Sequence, residues 1–193
     1  MTDETKTKSD TRRRKVPRKV TPSSLENAAL YYLQRFATSS ENLRQVLSRR
    51  VNRSAKHHDT DIEACASLID DLIRRYLESG LLDDRVYARA QATSLNRRGK
   101  SVRTIRVALA QKSIPGSIID ETLDALSEEL GEPDLAAAIA YARKRRFGPY
   151  RNPDTPSEKK EKELAALARS GFSYSMARRI IEAESIEDLE NDL

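Results

Sequence analysis

The chain has 193 residues, of which 38% are hydrophobic, 5% aromatic and 34% charged, with no Trp and one Cys. That apolar supply is thin for one round core and fits an elongated body of small stacked modules. The single Cys65 excludes an intramolecular disulfide and most thiolate metal sites, no apolar run approaches the ~20 residues needed to cross a bilayer, and the basic start has no apolar stretch after it; a soluble, cytoplasmic protein is expected.

The net charge of +5 has a location. Residues 1–22 carry eight Lys or Arg and three acids, so the rest of the chain, with 27 basic and 27 acidic residues, is neutral. Its charges are sorted, however. Residues 85–119 contain no Asp or Glu against eight Lys or Arg, and residues 143–151 hold five basic residues and no acid. Conversely, residues 120–134 carry seven acids and residues 182–192 six, with no base in either.

In chain order, residues 1–22 are polar and basic and are expected to be a disordered tail. Apolar residues at helical spacing then predict nine helices. The first spans residues 24–36 with Leu25, Ala29, Tyr32 and Leu33 inward; the second, residues 40–51, buries Leu43, Val46 and Leu47. The third, residues 59–79, is the longest, with Ile62, Cys65, Ala66, Ile69, Leu72, Ile73, Tyr76 and Leu77 in one pattern. The fourth starts at Asp83 and stops before Gly99, with Val86, Tyr87, Ala90, Ser94 and Leu95 inward. The fifth covers residues 101–112 (Val102, Ile105, Ala108, Leu109) and the sixth residues 115–130 (Ile118, Ile119, Thr122, Leu123, Leu126). The last three span residues 132–147, 157–170 and 173–184. The six glycines are read as stops at the ends of these patterns, and several prolines fall near helix starts. No stretch alternates with period two, so no sheet is expected.

The nine helices fall into three groups of three. Leu109, Ile114 and Ile118 match Leu167, Phe172 and Met176, with the same spacings of five and four. In each case a helix ends, the chain turns at a small residue, and a large apolar group staples the next helix. Leu47 and Val51 begin the pattern once more, interrupted by an insertion at 52–58. Stacked three-helix units explain a thin core, because each unit buries a little and stacking buries the rest. The predicted units are a basic tail at 1–22, repeats at 23–80, 81–130 and 131–185, a long loop at 148–157 in the third, and an acidic end at 186–193.

Nothing in the pattern reads as a catalyst. His57 and His58 are the only histidines, adjacent and far from any cysteine in a loop, which makes a poor metal site and leaves no nucleophilic triad. Phosphate-binding and dinucleotide fingerprints are absent. The paired acids Asp70-Asp71 and Asp83-Asp84 read as a solvated face and a helix N-cap. No enzyme activity, cofactor or metal is expected.

The basic residues are the candidate site. Arg85 and Arg89 share one helix face, Arg103 and Arg106 another, and Arg97, Arg98 and Lys100 gather at the corner between them. Arg143, Lys144, Arg145 and Arg146 repeat the theme in the next unit. A merely solvated helix would carry acids at i,i+4, and this run has none. Guanidinium groups bind phosphates or carboxylates in a forked geometry, which suits DNA or an acidic protein rim. In the tail, Arg12, Arg13, Arg14, Lys15, Arg18 and Lys19 fit a nonspecific tether to nucleic acid as well as a solubilising extension.

The segment GLLDD at 80–84, the Tyr87-Ala88 pair, the Arg98-Gly99-Lys100 corner, residues 105–114 and the ending Ser170-Gly171-Phe172-Ser173 together resemble the RecX family, regulators of the bacterial recombinase RecA. The resemblance covers residues 24–185. It implies an all-helical, elongated and curved array of three tandem three-helix repeats. It also implies binding to RecA filaments on DNA, along the filament groove, with reduced ATPase, strand-exchange and coprotease activities of RecA; a monomer is expected. The basic face would contact RecA and the DNA within it. The other reading is an independent helical protein that docks its repeats on DNA. The insertion at 52–58, the loop at 148–157 and the basic tail depart from the family pattern.

Overall fold

A computed structural model describes residues 16–152 and 160–191, and the described residues are helical without a strand. Three apolar clusters lie in succession along the chain, one per three-helix unit.

The first unit comprises α1 (Pro22–Leu33), α2 (Ser40–Ala55) and α3 (Ile62–Glu78). Each start is fixed locally. Thr21 and Ser24 form a reciprocal capping box before α1, while Ser39 and Asp61 accept from backbone N–H groups of α2 and α3. Leu25, Leu43, Leu47 and Ile69 are almost completely buried, each worth about 2 kcal/mol against exposure. Cys65 is buried among them as a free thiol. Ile62, Ala66 and Leu77, expected inside, lie exposed on α3.

Two expectations change here. The insertion is no loop at its start: α2 continues through residues 52–55 before turning. The tail also ends earlier than residue 22. Val20 is buried in the first core, its N–H donating to Ser54 Oγ at 3.2 Å, and His58 Nε2 donates to the Pro17 carbonyl at 2.6 Å. Residues 16–21 are therefore seated on the far end of α2, while residues 1–15, with Arg12, Arg13, Arg14 and Lys15, lie outside the described residues.

The second unit is α4 (Asp84–Arg97), α5 (Val102–Gln111) and α6 (Gly116–Leu130). The inward faces of α5 and α6 match the sequence pattern, but α4 is rotated from it. Val86, Ala90 and Ser94 face out, while Ala88, Ala92 and Asn96 join Tyr87 inside. Small side chains let α6 and α7 approach α4 closely, and Asn96 uses its amide to donate to the Pro133 carbonyl at 2.7 Å. Close packing at alanines outweighed the larger but isolated Val86. Gly116 opens α6 rather than closing a pattern.

The third unit holds α7 (Pro133–Arg145), a single 3-10 turn (Gly148–Tyr150), α8 (Lys160–Arg169) and α9 (Tyr174–Glu182). A tenth helix, α10 (Ile186–Asn191), forms in the acidic end, where Leu189 is buried in the third core. Of the loop at 148–157, only residues 148–152 are described, and they are fastened: Glu163, itself buried, accepts from the Gly148 N–H at 3.1 Å and from Arg151 at 2.6 Å.

The repeat correspondence appears in the turns. The N–H of Ile114 donates to the Leu109 carbonyl and that of Phe172 to Leu167, closing the same helix-ending motif in α5 and α8. The left-handed position is Ser113 (φ 56°) in one and Gly171 (φ 92°) in the other.

A basic face and the joints that position it

Successive units are joined by one device used twice. The Ser39 hydroxyl, at the start of α2, donates to the Lys112 carbonyl at the end of α5, at 2.7 Å; Ser101, at the start of α5, donates to the Ser170 carbonyl at the end of α8, at 3.0 Å. Beside each serine, the next residue binds an acid at the start of the following unit. Ser40 donates through its N–H and hydroxyl to both oxygens of Asp84 (2.7 and 2.6 Å), and the Val102 N–H donates to Asp134 at 2.7 Å. Both Ser39 and Ser101 are fully buried, so the donor ends of the two hydroxyl bonds are removed from water. Asp83 supplies the N-cap of α4, accepting from the N–H groups of Arg85 and Val86. Asp84, expected to share that local role, ties two repeats together instead.

The second joint is tighter. Gly99 turns the α4–α5 corner at φ 78° with its backbone against α7, where an added Cβ would stand 2.8 Å from the Tyr141 nitrogen. A side chain cannot fit there. The Arg145 guanidinium stacks over the Tyr141 ring at 5.7 Å. Tyr141 thus brings together the Arg98-Gly99-Lys100 corner and the basic last turn of α7, two groups 45 residues apart in the sequence.

The candidate residues divide into compensated and open sets. Arg85 pairs with Glu121, and Arg106 with Asp120 at 2.6 Å, so the acidic run on α6 neutralises part of the basic run. Arg89 lines a groove of about 320 Å³ shared with Glu128 and Glu129. Arg143 pairs with Glu190 of α10 and lies over the Tyr150 ring at 5.6 Å, holding the acidic end in place. These pairs are well exposed to solvent, a class worth about 0–1 kcal/mol each. Arg97, Arg98, Lys100, Arg103, Lys144 and Arg146 are exposed and have no ion pair among the described residues. Local spacing could not show this division, because the acids that decide it lie on other helices.

An apolar feature missed by the sequence pattern adjoins the first joint. Phe36 (53% exposed), Leu81 (49%) and Val86 (63%) line a groove of about 300 Å³ with Leu33 and Ala90. Its signal was present in the sequence as Val86 and Ala90, assigned there to the inside. Among the described residues, no helix is long and apolar enough to cross a membrane, and no group of three or more His, Cys, Asp or Glu could hold a metal ion.

The architecture defines an all-helical tandem-repeat protein with a basic face. Residues 83–123 match the family model described as RecX, second three-helix domain. The chain is 41% identical over 170 residues to the regulatory protein RecX of Myxococcus xanthus, covering 88% of this chain and 90% of that one. To the regulatory protein RecX of Agrobacterium fabrum it is 34% identical over 168 residues, covering 86% and 87%. The fold is shared with the crystal structure of RecX from Lactobacillus salivarius (TM-score 0.59, 22% identity, 88% of this chain and 97% of that chain). The chain belongs to the RecX family of regulatory proteins.

Proposed function

We propose that this protein binds RecA filaments on DNA and lowers their ATPase, strand-exchange and coprotease activities, acting in the bacterial cytoplasm as a monomer without catalytic chemistry of its own. The observation that carries the proposal is membership of the RecX family over almost nine-tenths of the chain. Two surface features support it. The cations left open at the second joint (Arg97, Arg98, Lys100, Arg103, Lys144, Arg146) suit the phosphates or carboxylates of a filament, with Arg85, Arg89, Arg106, Arg143 and Arg145 beside them. The groove at Phe36, Leu81 and Val86 offers exposed apolar surface, which a protein partner can cover and a sugar–phosphate backbone cannot.

The deciding experiment is ATP hydrolysis by RecA on preformed single-stranded DNA filaments, with this protein titrated below the RecA concentration. Hydrolysis falls at substoichiometric amounts if the proposal holds. Unchanged hydrolysis, together with direct and strongly salt-dependent binding to naked DNA, assigns the face to DNA alone. The double substitution Arg98→Glu, Arg103→Glu weakens filament binding and keeps the helical circular dichroism; wild-type inhibition by that variant removes the open face from the mechanism.

The tail residues Arg12, Arg13, Arg14 and Lys15 act in this reading as a nonspecific tether continuous with Arg18 and Lys19. Because residues 16–21 pack on the first repeat, the test removes residues 1–15 only. Affinity for bare DNA drops while RecA inhibition survives; loss of both overturns the tether.

A further inference from the structure

The seated end of the tail builds something that neither the tail nor α2 has alone. Between them and α1 lies a groove of about 750 Å³, lined by Arg18, Lys19, Arg49, Arg50, Arg53 and Tyr31 among others, and none of its described lining residues is acidic. All five cations are exposed. Of the carboxylates on the same repeat, Glu41 and Asp70 pair with Arg44, Glu26 pairs with Arg75, and Asp61 caps α3. The chain's own acidic end does not serve as a counter-charge either, since Leu189 anchors it in the third core and Glu190 holds Arg143. Only Arg53 lies in the last turn of α2, where a helix dipole would favour a cation; the dipole leaves the other four unexplained.

Tyr31 stands in this groove 59% exposed, with the Arg35 guanidinium over its ring at 5.3 Å and bonded to its hydroxyl. Five cations would be satisfied by any polyanion. An exposed ring fixed among them adds a flat apolar surface, and only a strand with unpaired bases has a matching one. We infer that the groove between the seated tail and helices α1 and α2 is a binding track for single-stranded nucleic acid, with phosphates on Arg18, Lys19, Arg49, Arg50 and Arg53 and a base stacked on Tyr31. In this arrangement the insertion at 52–58 has a purpose. Ser54 and His58 hold the tail so that Arg18 and Lys19 face the α2 cations across the groove. The inference deepens the tether reading of Arg18 and Lys19 and does not depend on RecA.

The test uses the full chain and fluorescein-labelled oligothymidylate, with a duplex of equal length for comparison, read by anisotropy across a salt series. The expected result is tighter binding to the single strand, with Tyr31→Ala weakening it about tenfold, within the range of one base–aromatic stack. The double variant Arg49→Ala, Arg53→Ala lowers the slope of log affinity against log salt by about 1.4, two contacts at ~0.7 each on a single strand. Ser54→Ala keeps every cation but releases the tail, and also weakens binding. Circular dichroism confirms that each variant is folded. Equal affinity for duplex with no effect of Tyr31→Ala overturns the single-strand assignment and leaves a generic phosphate patch. Full affinity in the arginine double variant overturns the groove itself. RecA ATPase inhibition, measured on the same proteins, reports separately on the proposed function: its absence in the wild type sinks that function and leaves the groove standing.

Discussion

The two joints between repeats use the same polar latch and differ in everything around it. At the second joint α4 and α6 pack against α7, Gly99 lies on the Tyr141 backbone, and Asn96 reaches the Pro133 carbonyl. At the first, no helix of repeat one packs comparably on repeat two among the described residues. The Ser39–Lys112 and Ser40–Asp84 bonds carry that joint, and an apolar groove stands open beside it. The polar latch sets register in both places, and apolar closure makes one of them stiff. The open cations lie around the more closely packed joint, which fixes their spacing.

The comparison can be broken most severely at Gly99. Gly99→Ala combines a left-handed backbone with a clash against main chain, and costs about 3 kcal/mol by urea unfolding. A loss below 1 kcal/mol means that the second joint yields and is not stiff. Next comes Asp84→Ala, which removes the acceptor of two bonds at a joint with little else; about 2.5 kcal/mol is expected. Asp134→Ala removes one bond from a joint with other contacts, and about 1.5 kcal/mol is expected. If Asp134→Ala proves the more damaging, the ranking of the joints is reversed. Val86→Ser belongs at the bottom of the stability scale, within about 0.5 kcal/mol, because the side chain is already in water. In filament binding, however, it shows a clear loss if the groove meets a protein partner.

A pH effect, smaller still, is shared by the first two units. Burial pushes the Tyr76 and Tyr87 phenols above the ordinary tyrosine value, with the Glu26 carboxylate adding to the effect at Tyr76 and, more weakly, the neighbouring Tyr32 and Asp84 at Tyr87. A raised folded value means that the stabilisation is complete below the unfolded value, near pH 10, and fades as pH rises through the folded values. Alkaline titration followed by ultraviolet difference absorbance should find these two phenols ionising above the ordinary tyrosine value. Ionisation of both at the ordinary value contradicts the burial argument.

Much of the fold was legible because it is local. Caps, helix-ending turns and the inward faces of α5 and α6 depend on residues within a few positions of each other, and the matched staples at Ile114 and Phe172 followed from spacing alone. The face of α4 was misread because periodicity weighs a valine above an alanine, whereas packing between close helices selects the alanine. The helix in the acidic end was hidden by its composition, with Leu189 as the one strong clue. The joints were beyond reach: Ser39 and Lys112 are 73 residues apart, and nothing near either announces the other. The candidate site was half legible for the same reason. Its basic residues were found by their charge, but the acids that silence Arg85, Arg106 and Arg143 lie on other helices.

The latch has a consequence for how such a protein can grow. It asks for a serine before one helix, a free carbonyl at the end of another and an acid at the start of a third, and the middle unit carries all three in itself as Ser101, the Lys112 carbonyl and Asp84. A duplicated unit therefore arrives with both halves of its coupling already in place. Lengthening the array by gene duplication requires no newly evolved interface, and its two natural joints show how differently the surroundings can then drift.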